Sequence, residues 1–555
     1  MKLSIRSLRA FTFIVILLVS FPLYSQTTYE GINSGVYDFL SRMHLKGIID
    51  YSKLVLPITR SQISQYINRI KTFENKLTET EKNELIWYQS EFYDELSPQT
   101  IEKIIKSFIS TDASLNRRHL FYYRDTKFLF KLNPVLGYSI SKKYSDNQKK
   151  YWSGVSFYGT LGEFGFQFDY RDNSESGNQI DRSKKYSNET GIHILGGRGN
   201  SIEYSEVRAS IHYQNDFFDI SVGKDCLNWG SGYRSRVILS DKAPSFPFIR
   251  LDIKPANWLS FYYIHGWLNS RVIDSLMSYE TPLQKDSSYQ LRIIEREKFI
   301  AAHVVEIKPI ERLKISIGES IIYSDQGPRM GFLIPILFFR LVDHYYEGTG
   351  GFGKGGNSQF FADINVGLVK NFNFYSTIFI DEFSLTNFLK GKNDRNQLGY
   401  TIGFQNYGLV PNLNFVAEYT RILPWVYSNF IQTQTYTNSN YLLGHYIGQN
   451  ADHLFLQFDY RLMRGLELKL WGELIRQGGF EDISQQYSDP GEPFLYGLRR
   501  NETNLGLEIT YEYVHDLSGR ISYQYSDITD EDGSRTPGFM MGKQHSFSVG
   551  FYYGL

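Results

Sequence analysis

The last ten residues, "SFSVGFYYGL" (546–555), distinguish between two all-β folds. Apolar side chains occupy every second position from Phe547 to Leu555, and small residues hold most of the positions between them. This period of two is typical of a β-strand with one apolar face. A closing strand that keeps this alternation to its final apolar residue favours an outer-membrane barrel over a soluble sandwich, in which apolar faces meet in a core.

The same alternation runs through the rest of the chain. It is clearest in "NLGLEITYEY" (504–513), "GLELKLWGEL" (465–474) and "EFGFQFDY" (163–170), where Leu, Ile, Phe and Tyr alternate with Glu, Lys, Gln, Asp and Gly. In a barrel the apolar faces meet lipid and the charged faces line a hydrated lumen. We therefore predict that residues 116–555 form an antiparallel transmembrane β-barrel of about 18 strands, counted from sixteen to eighteen candidate segments.

Composition agrees with a membrane barrel. The 555 residues include 42 Tyr, 41 Phe and 7 Trp, and membrane interfaces favour rings of this kind. Basic and acidic residues balance at 59 each, which argues against nucleic acid as a partner. Cys226 is the single cysteine, so an internal disulfide cannot stabilise this fold.

The first 25 residues predict a signal peptide. Lys2, Arg6 and Arg9 precede an apolar run from Phe11 to Leu23, and Ser25 suits cleavage. An uncleaved anchor is the alternative, but the run is shorter than the roughly 20 residues that a spanning helix needs. We therefore expect export, and a bacterial outer-membrane location for the barrel.

Residues 26–115 predict a small helical bundle on the periplasmic side of the barrel. Apolar residues recur at helical spacing from Val36 to Met43, with Gly47 placed to end that helix. Two predicted helix starts of the capping-box type follow, and Ser97–Pro98 predicts a fourth helix. The capping pairs are Thr59 with Gln62 and Thr78 with Glu81, and the fourth helix would carry Ile101, Ile104, Ile105 and Phe108.

The stretch "CLNWGSGYRSRVILSDKAPSFPFIRL" (226–251) interrupts the alternating pattern. Its Trp-Gly-x-Gly turn, which leads through a strand to an Ala-Pro-x-x-Pro segment, resembles the signature of the Wzi family of capsule-assembly proteins. Further blocks resemble the family in the same order along the chain. They are "IGESIIYSD" (317–325), "FLIPILFF" (332–339), "FIDEF" (379–383), "FVAEYTR" (415–421) and "LLGHYIGQNAD" (442–452).

This resemblance implies a barrel of about eighteen strands with periplasmic helices, acting as a surface lectin for exported polysaccharide. It implies capsular or extracellular polysaccharide, outer-membrane lipid and other polysaccharide export components as partners, a monomeric state and no cofactor. The alternative function is a porin-like channel for small solutes. A helical bundle packed into the opening would block conduction, so the placement of the helices discriminates between the two functions.

Seven residues are candidates for polysaccharide binding. Aromatic rings stack on the apolar faces of sugars, and guanidinium groups bind carboxylates of acidic sugars in bidentate fashion. The alternative is structural: aromatics of the interface belt, and arginines paired with lumen carboxylates such as Glu467, Glu473, Glu508 and Glu512. The candidates are Trp229, Tyr233, Arg234 and Arg236, with His265, Trp267 and His445 as weaker ones.

Catalytic and nucleotide-binding motifs are not supported. The segment "GTGGFGKG" (348–355) nearly matches a phosphate-binding loop, but Gly355 stands where a hydroxyl is required. A hydrolase is a third hypothesis, since His445, Asp452 and His453 are close in sequence. No nucleophile elbow or metal spacing surrounds them, so we predict no enzyme activity, no catalytic residue and no metal.

Overall fold

A computed structural model describes most of the chain. The described residues are 28–97, 105–112, 114–215, 217–285, 288–347, 355–382, 396–479, 483–487 and 492–554. The predicted signal peptide, residues 1–25, lies outside them. Among these residues no helix combines the length and apolar character needed to cross a bilayer.

Strands dominate the described residues. In chain order they are β1 (Val55–Leu56), β2 (Ile105–Thr111), β3 (Arg118–Arg124), β4 (Phe128–Lys143), β5 (Asp146–Leu161), β6 (Phe164–Ser176), β7 (Ser201–Gln214), β8 (Phe218–Asp225), β9 (Asn228–Trp229), β10 (Phe246–Ala256), β11 (Leu259–Ile273), β12 (Tyr279–Lys285), β13 (Ser288–Arg292), β14 (Glu295–Ile310), β15 (Leu313–Ser324), β16 (Asn357–Val366), β17 (Phe372–Glu382), β18 (Gln397–Tyr407), β19 (Leu413–Ile422), β20 (Thr437–Asn438), β21 (Tyr441–Leu442), β22 (Ala451–Met463), β23 (Leu466–Gln477), β24 (Arg500–Val514), β25 (Leu517–Asp530) and β26 (Gly542–Tyr553). The α-helices are α1 (Val36–Leu45), α2 (Arg60–Lys71), α3 (Glu79–Glu91), α4 (Tyr93–Leu96) and α5 (Phe339–Glu347).

Eighteen of these strands close into one antiparallel barrel. The ring runs β4-β5-β6-β7-β8-β10-β11-β14-β15-β16-β17-β18-β19-β22-β23-β24-β25-β26, and β26 returns to β4 with Phe547 opposite Lys142 and Tyr553 opposite Leu136. The first half of β4 pairs with β3, which pairs with β2, so this hairpin extends the sheet beside the closure. The prediction of a closed antiparallel barrel of about 18 strands is confirmed.

On many barrel strands an exposed apolar face points outward and a polar face is turned to the lumen. On β22, Leu454, Leu456, Phe458 and Tyr460 point outward and are 40–43% exposed, whereas residues between them, such as Asp459, are buried. Neighbouring strands continue the outward band, because Leu454 lies opposite Leu474 of β23 and Phe458 lies opposite Leu470. An outward apolar band of this kind is the surface that meets lipid.

The two ends of the barrel differ. At one end the connections are short, such as residues 162–163, 311–312 and 464–465; at the other they include long segments such as 177–200 and 423–450. Outer-membrane barrels carry short periplasmic turns and longer extracellular loops. The short-turn end is therefore the periplasmic end.

The N-terminal helices pack on the periplasmic end, as predicted. The carbonyl oxygen of Leu45 in α1 accepts hydrogen bonds from Arg312 Nη2 (3.1 Å) and Asn371 N (2.8 Å), which lie in two periplasmic turns. Gly47 ends this helix with φ +73°, a left-handed value that glycine adopts readily. The Thr78–Glu81 capping box is confirmed, and Thr59 Oγ1 accepts from Gln62 N at 3.3 Å.

The fourth predicted helix is wrong over its described part. Ile105 and Phe108 lie on β2, where Ile105 pairs with Arg124 and Phe108 with Phe121 of β3. Their helical spacing is overridden by pairing with an adjacent strand, which suits β-branched and aromatic residues. The remaining positions of that prediction, Pro98, Ile101 and Ile104, lie outside the described residues.

Asp50 fastens the helical unit, residues 28–97, to the barrel. Its carboxylate accepts from Lys314 Nζ at 2.6 Å and from Arg312 N at 3.3 Å, and it pairs with Lys308. Burial alone would raise the pKa of Asp50, but Lys314 and Lys308 lower it well below the ordinary value. This contact therefore stabilises the folded state above the ordinary carboxyl pKa of about 4 and loses that effect as the pH falls through the lowered value.

Asp50→Asn is expected to loosen the helical unit. The substitution leaves Lys314 buried without its anionic partner, which costs about 3–5 kcal/mol. Hydrogen exchange of helices α1–α3 in the detergent-solubilised protein measures the loss of protection. The matched control is Glu79→Gln, which removes a solvent-exposed pair with Lys82 and should leave the protection of these helices unchanged. Equal protection in Asp50→Asn and wild type would contradict this role.

Candidate functional site

Residues 226–245, which we name the lumen-crossing segment, connect β8 to β10 through the interior of the barrel. The segment begins with β9, which pairs with β1 of the helical unit so that Trp229 lies opposite Val55. Gly230 N donates to Leu54 O at 2.8 Å, and Trp229 N donates to Leu239 O at 2.8 Å. The segment is thus a folded loop, and part of the helical unit enters the lumen to meet it.

The segment reaches the opposite wall of the barrel. Its N–H groups at Tyr233 and Arg234 donate to the carboxylate of Glu418 on β19, at 2.6 and 3.1 Å. Tyr233 Oη donates to Asp459 on β22 at 3.3 Å. The segment leaves the wall at β8, and β22 is the ninth strand from β8 in either direction around the 18-strand ring. The segment therefore spans the full diameter of the barrel lumen.

Two glycines explain the Trp-Gly-x-Gly pattern of the segment. Gly230 has φ +109°, a backbone conformation that residues with a side chain rarely adopt. A Cβ on Gly232 would lie 2.0 Å from Ser235 O, so only glycine fits that turn. These two positions fold the chain back after Trp229 and direct the following side chains across the lumen.

Trp229 is a core residue of this interior. Its side chain is 1% exposed and meets Phe361 of β16 edge to face, with ring centroids 6.3 Å apart. It belongs to a buried apolar cluster that includes Leu239 of the segment and Tyr427 and Tyr436 of the loop 423–450. In the described conformation this ring lies inside the lumen and not at the cell surface.

The side chains of Arg234 and Arg236 also form their hydrogen bonds inside the lumen. Arg234 Nε donates to Glu473 of β23 at 3.0 Å, and its guanidinium lies 5.0 Å from the ring centroids of Phe455 and Trp471. Burial alone would lower the pKa of Arg234, but Glu473 raises it above the ordinary value. Arg236 Nε donates to Gly230 O at 3.1 Å, and burial lowers the pKa of its guanidinium.

His445 joins this cluster from the extracellular loop 423–450. It is fully buried and stacks on Tyr446, whose hydroxyl donates to Glu473 at 3.1 Å. Burial, followed by the neighbouring His453 and Arg234, lowers the pKa of His445 well below its ordinary value, so the His445 imidazole is neutral near pH 7. Glu473 therefore links the lumen-crossing segment to the loop above it.

His265 and Trp267 lie elsewhere. Both are on the outward face of β11, where His265 Nε2 forms a hydrogen bond of 2.7 Å with Tyr323 Oη of β15 and contacts the Trp267 ring. The structure thus brings together five of the seven predicted residues and separates these two by the barrel wall. The predicted role of all seven in polysaccharide binding stays a prediction.

Of the four carboxylates that hold the segment, the sequence indicates Glu473 and does not indicate Glu418, Asp363 or Asp459. Glu473 was among the lumen carboxylates considered as partners for the arginines, and Arg234 has that pairing. Glu418 and Asp363 were not identified; Asp363 accepts from Ser231 N at 2.9 Å and from Ser231 Oγ at 2.7 Å. Their position on the polar face of an alternating strand was the available signal.

A cavity of about 550 Å³ separates the segment from the periplasmic helices. Cationic and anionic groups share its lining, so it is a hydrated, charged part of the lumen. Arg461 of β22 crosses its edge and pairs with Asp38 of α1 and, at 3.3 Å, with Glu84 of α3. The charged lining residues include Arg42, Lys53, Arg234, Arg236, Lys469, Arg520, Glu467, Glu508 and Glu512.

These features define a class of protein: an outer-membrane β-barrel whose interior is crossed by its own chain and whose periplasmic end carries a helical unit. The family model described as capsule assembly protein Wzi matches residues 137–542, which is most of the chain. The chain therefore belongs to the Wzi family of capsule assembly proteins and lies in the bacterial outer membrane.

One solved structure supports the fold. The chain is similar to Wzi of Escherichia coli, described as an outer membrane protein involved in group 1 capsule assembly and a carbohydrate-binding β-barrel, with a TM-score of 0.57 and 11% identity over 95% of this chain and 100% of that one. Two other structures are more distant. OprD of Pseudomonas aeruginosa has a TM-score of 0.40 and 12% identity, over 76% of this chain and 94% of that one. OccAB1 of Acinetobacter baumannii has a TM-score of 0.42 and 11% identity, over 77% of this chain and 95% of that one. A sequence comparison with curated proteins found no match.

Glu418→Gln is expected to release the lumen-crossing segment. An amide cannot replace the anionic acceptor shared by Tyr233 N, Arg234 N and Tyr375 Oη, so local stability should fall by about 1–3 kcal/mol. Hydrogen exchange of peptides covering residues 226–245 measures the loss. Glu508→Gln is the control, because this lumen carboxylate lies near Lys469 and Arg520 of the wall and has no bond to the segment. Unchanged exchange at Tyr233 and Arg234 would refute the role of Glu418.

Proposed function

We propose that this protein is a surface lectin that binds exported capsular or extracellular polysaccharide and holds it at the outer membrane. The observation that carries the proposal is the crossed lumen, in which the chain spans its own barrel from the β8 wall to β19 and β22. Family membership supports a role in capsule assembly. The E. coli Wzi structure, described as a carbohydrate-binding barrel, supports a carbohydrate as the ligand.

The extracellular loops offer a connected surface for such a ligand. Lys242 of the lumen-crossing segment donates to Ser187 O (2.7 Å) and Glu189 O (2.8 Å) of the loop 177–200. Tyr441 Oη donates to Ser183 O at 2.7 Å and also lies 3.1 Å from Ile192 O, which joins this loop to the loop 423–450. Hydrogen bonds between these loops hold the exposed groups at the extracellular end of the barrel in a fixed arrangement. This lowers the entropic cost of binding a sugar chain.

Two exposed cations of the loop 177–200, Arg182 and Lys185, and the half-buried ring of Tyr186 suit an acidic polysaccharide. Lys185 lies 5.6 Å from the ring centroid of Tyr186, and Arg182 donates one hydrogen bond to Gly199 O at 2.9 Å, which leaves other donors of its guanidinium open to solvent. Guanidinium and ammonium groups bind sugar carboxylates, and the ring can stack on a sugar face. We propose Arg182, Lys185 and Tyr186 as surface contacts beside the seven residues predicted from sequence.

A conductance measurement separates the lectin from a porin-like channel. Wild-type protein in planar bilayers should show no large, steady channels, since the segment and the loop above it occupy the lumen. Replacing residues 230–238 by two glycines should produce them, because Trp229 and Leu239 already form a backbone bridge that the short linker can close. Large, steady channels from the wild-type protein would favour the channel function instead.

Retention of polysaccharide by cells tests the lectin directly. The double variant Arg182→Ala/Lys185→Ala should release surface polysaccharide into the medium while its heat-modifiable mobility on gels stays intact. Arg69→Ala/Lys71→Ala is the matched control, because it removes two exposed cations at the periplasmic helices. Trp229→Ala/Arg234→Ala tests the sequence-predicted residues in parallel. Unchanged retention in the first and third variants would overturn the proposed sugar contacts.

A further inference from the structure

Residues 328–347, which we name the outer-wall segment, fold back against the outside of the barrel instead of extending from its mouth. The segment lies between β15 and β16 and contains a short 3-10 turn, Met330–Leu333, and helix α5. Phe332 and Phe339 are fully buried against the wall, and Phe332 O accepts from Tyr263 Oη at 2.8 Å. The segment therefore packs on the barrel as a second layer.

The covered part of the wall belongs to its outward face. Tyr262 and Ile264 of β11 lie in the lumen cluster, so Tyr263 between them points outward. The same holds for Phe299 and Ala301 of β14, which alternate with the lumen residues Ile300 and Ala302. These outward side chains form one buried cluster with Phe332 and Phe339 of the segment.

The outer-wall segment continues the lipid-facing band of the barrel. On β15, Ile315 and Ile317 point outward toward the periplasmic half and are exposed, Ile317 to 66%. The next outward positions, Glu319, Ile321 and Tyr323, are covered. The covering therefore begins two residues, about 7 Å, beyond a wall position that meets lipid.

A carboxylate on this wall holds the segment in place. Glu319 is 2% exposed, and its oxygens accept from the N–H groups of Phe339 and Arg340 at the start of α5. His303 Nε2 lies 3.2 Å from the same carboxylate. A carboxylate facing hydrocarbon is costly, so the first turn of α5 makes this acidic wall position compatible with a bilayer.

The side of the segment that faces away from the wall is apolar. Six of its apolar side chains are 43–85% exposed, beside the exposed His344, and contact of this much apolar surface with water is unfavourable. A helix satisfies its own backbone hydrogen bonds, which permits it to lie in the interfacial part of a bilayer. The exposed residues are Met330, Ile334, Ile336, Phe338, Leu341 and Tyr345.

We propose that the outer-wall segment is a lipid-binding element that lies in the outer leaflet and contacts acyl chains through this second apolar face. Lipid is the occupant that the structure favours, because the face is continuous with the lipid-facing wall at Ile315 and Ile317 and, through the Phe338–Phe360 ring contact, with β16. The segment widens the apolar girdle over β11, β14, β15 and β16 in the extracellular half of the barrel.

Site-directed spin labelling of the full chain in lipid bilayers tests the proposal. The label is placed by Ile336→Cys in a Cys226→Ala background, with Leu470→Cys on the outward face of β23 as the lipid reference. Gly533→Cys is the aqueous reference, because an added Cβ there meets no atom within 4 Å. Collision rates with oxygen and with a water-soluble nickel chelate are measured for each label, after heat-modifiable mobility confirms folding.

The label at residue 336 is expected to match the one at residue 470: several-fold more accessible to oxygen than to the chelate. Accessibility like that at residue 533 would show that the segment lies in water and would overturn the proposal. Protection from both reagents in bilayers of the purified protein would show a second copy of the chain on this face, and it would overturn the proposal as well.

Discussion

Closure of the hydrogen-bonded ladder between β26 and β4 is the constraint on which the rest of the structure depends. Within a bilayer every backbone N–H and C=O needs a partner inside the protein, and a sheet meets this condition only when it has no free edge. Eighteen strands make the ring wide enough to leave space for more than side chains. The lumen must then be packed with side chains, filled with water or crossed by the chain itself.

This protein crosses its interior with buried carboxylates as the fixed points. Glu418, Asp363 and Glu473 stand on three different strands, and each binds the lumen-crossing segment through charge-assisted hydrogen bonds. Such bonds are stronger than neutral ones, particularly where water is scarce. The apolar residues between them, Trp229 above all, fill the space with a core like that of a soluble domain. The barrel therefore has two opposite apolar surfaces: an outer band for lipid and an inner cluster packed on itself.

The sequence predicts the barrel well because a period of two determines both faces of a strand at once. The stretch 504–513 shows this, since its alternation needs no knowledge of neighbouring strands. Helical spacing at Ile105 and Phe108 was misleading, because the pairing of β2 with β3 decides the structure there. The sequence alone also does not show on which face of β11 His265 and Trp267 lie, since that strand has aromatic residues on both faces, such as Tyr262 and Tyr263. The partners of Tyr233 and Arg234, about 185 positions away, depend on the order of strands around the ring.

The pairing of β1 with β9 joins parts of the molecule on opposite sides of the bilayer. From the helical unit, Leu54 O accepts from Gly230 N; farther along the segment, Ser240 N donates to Leu443 O at 2.7 Å in the extracellular loop 423–450. Periplasmic helices and surface loops are thus parts of one mechanical body that runs through the pore. A periplasmic partner that pulled on the helices would be acting on the same hydrogen-bonded frame that shapes the face turned to the outside world.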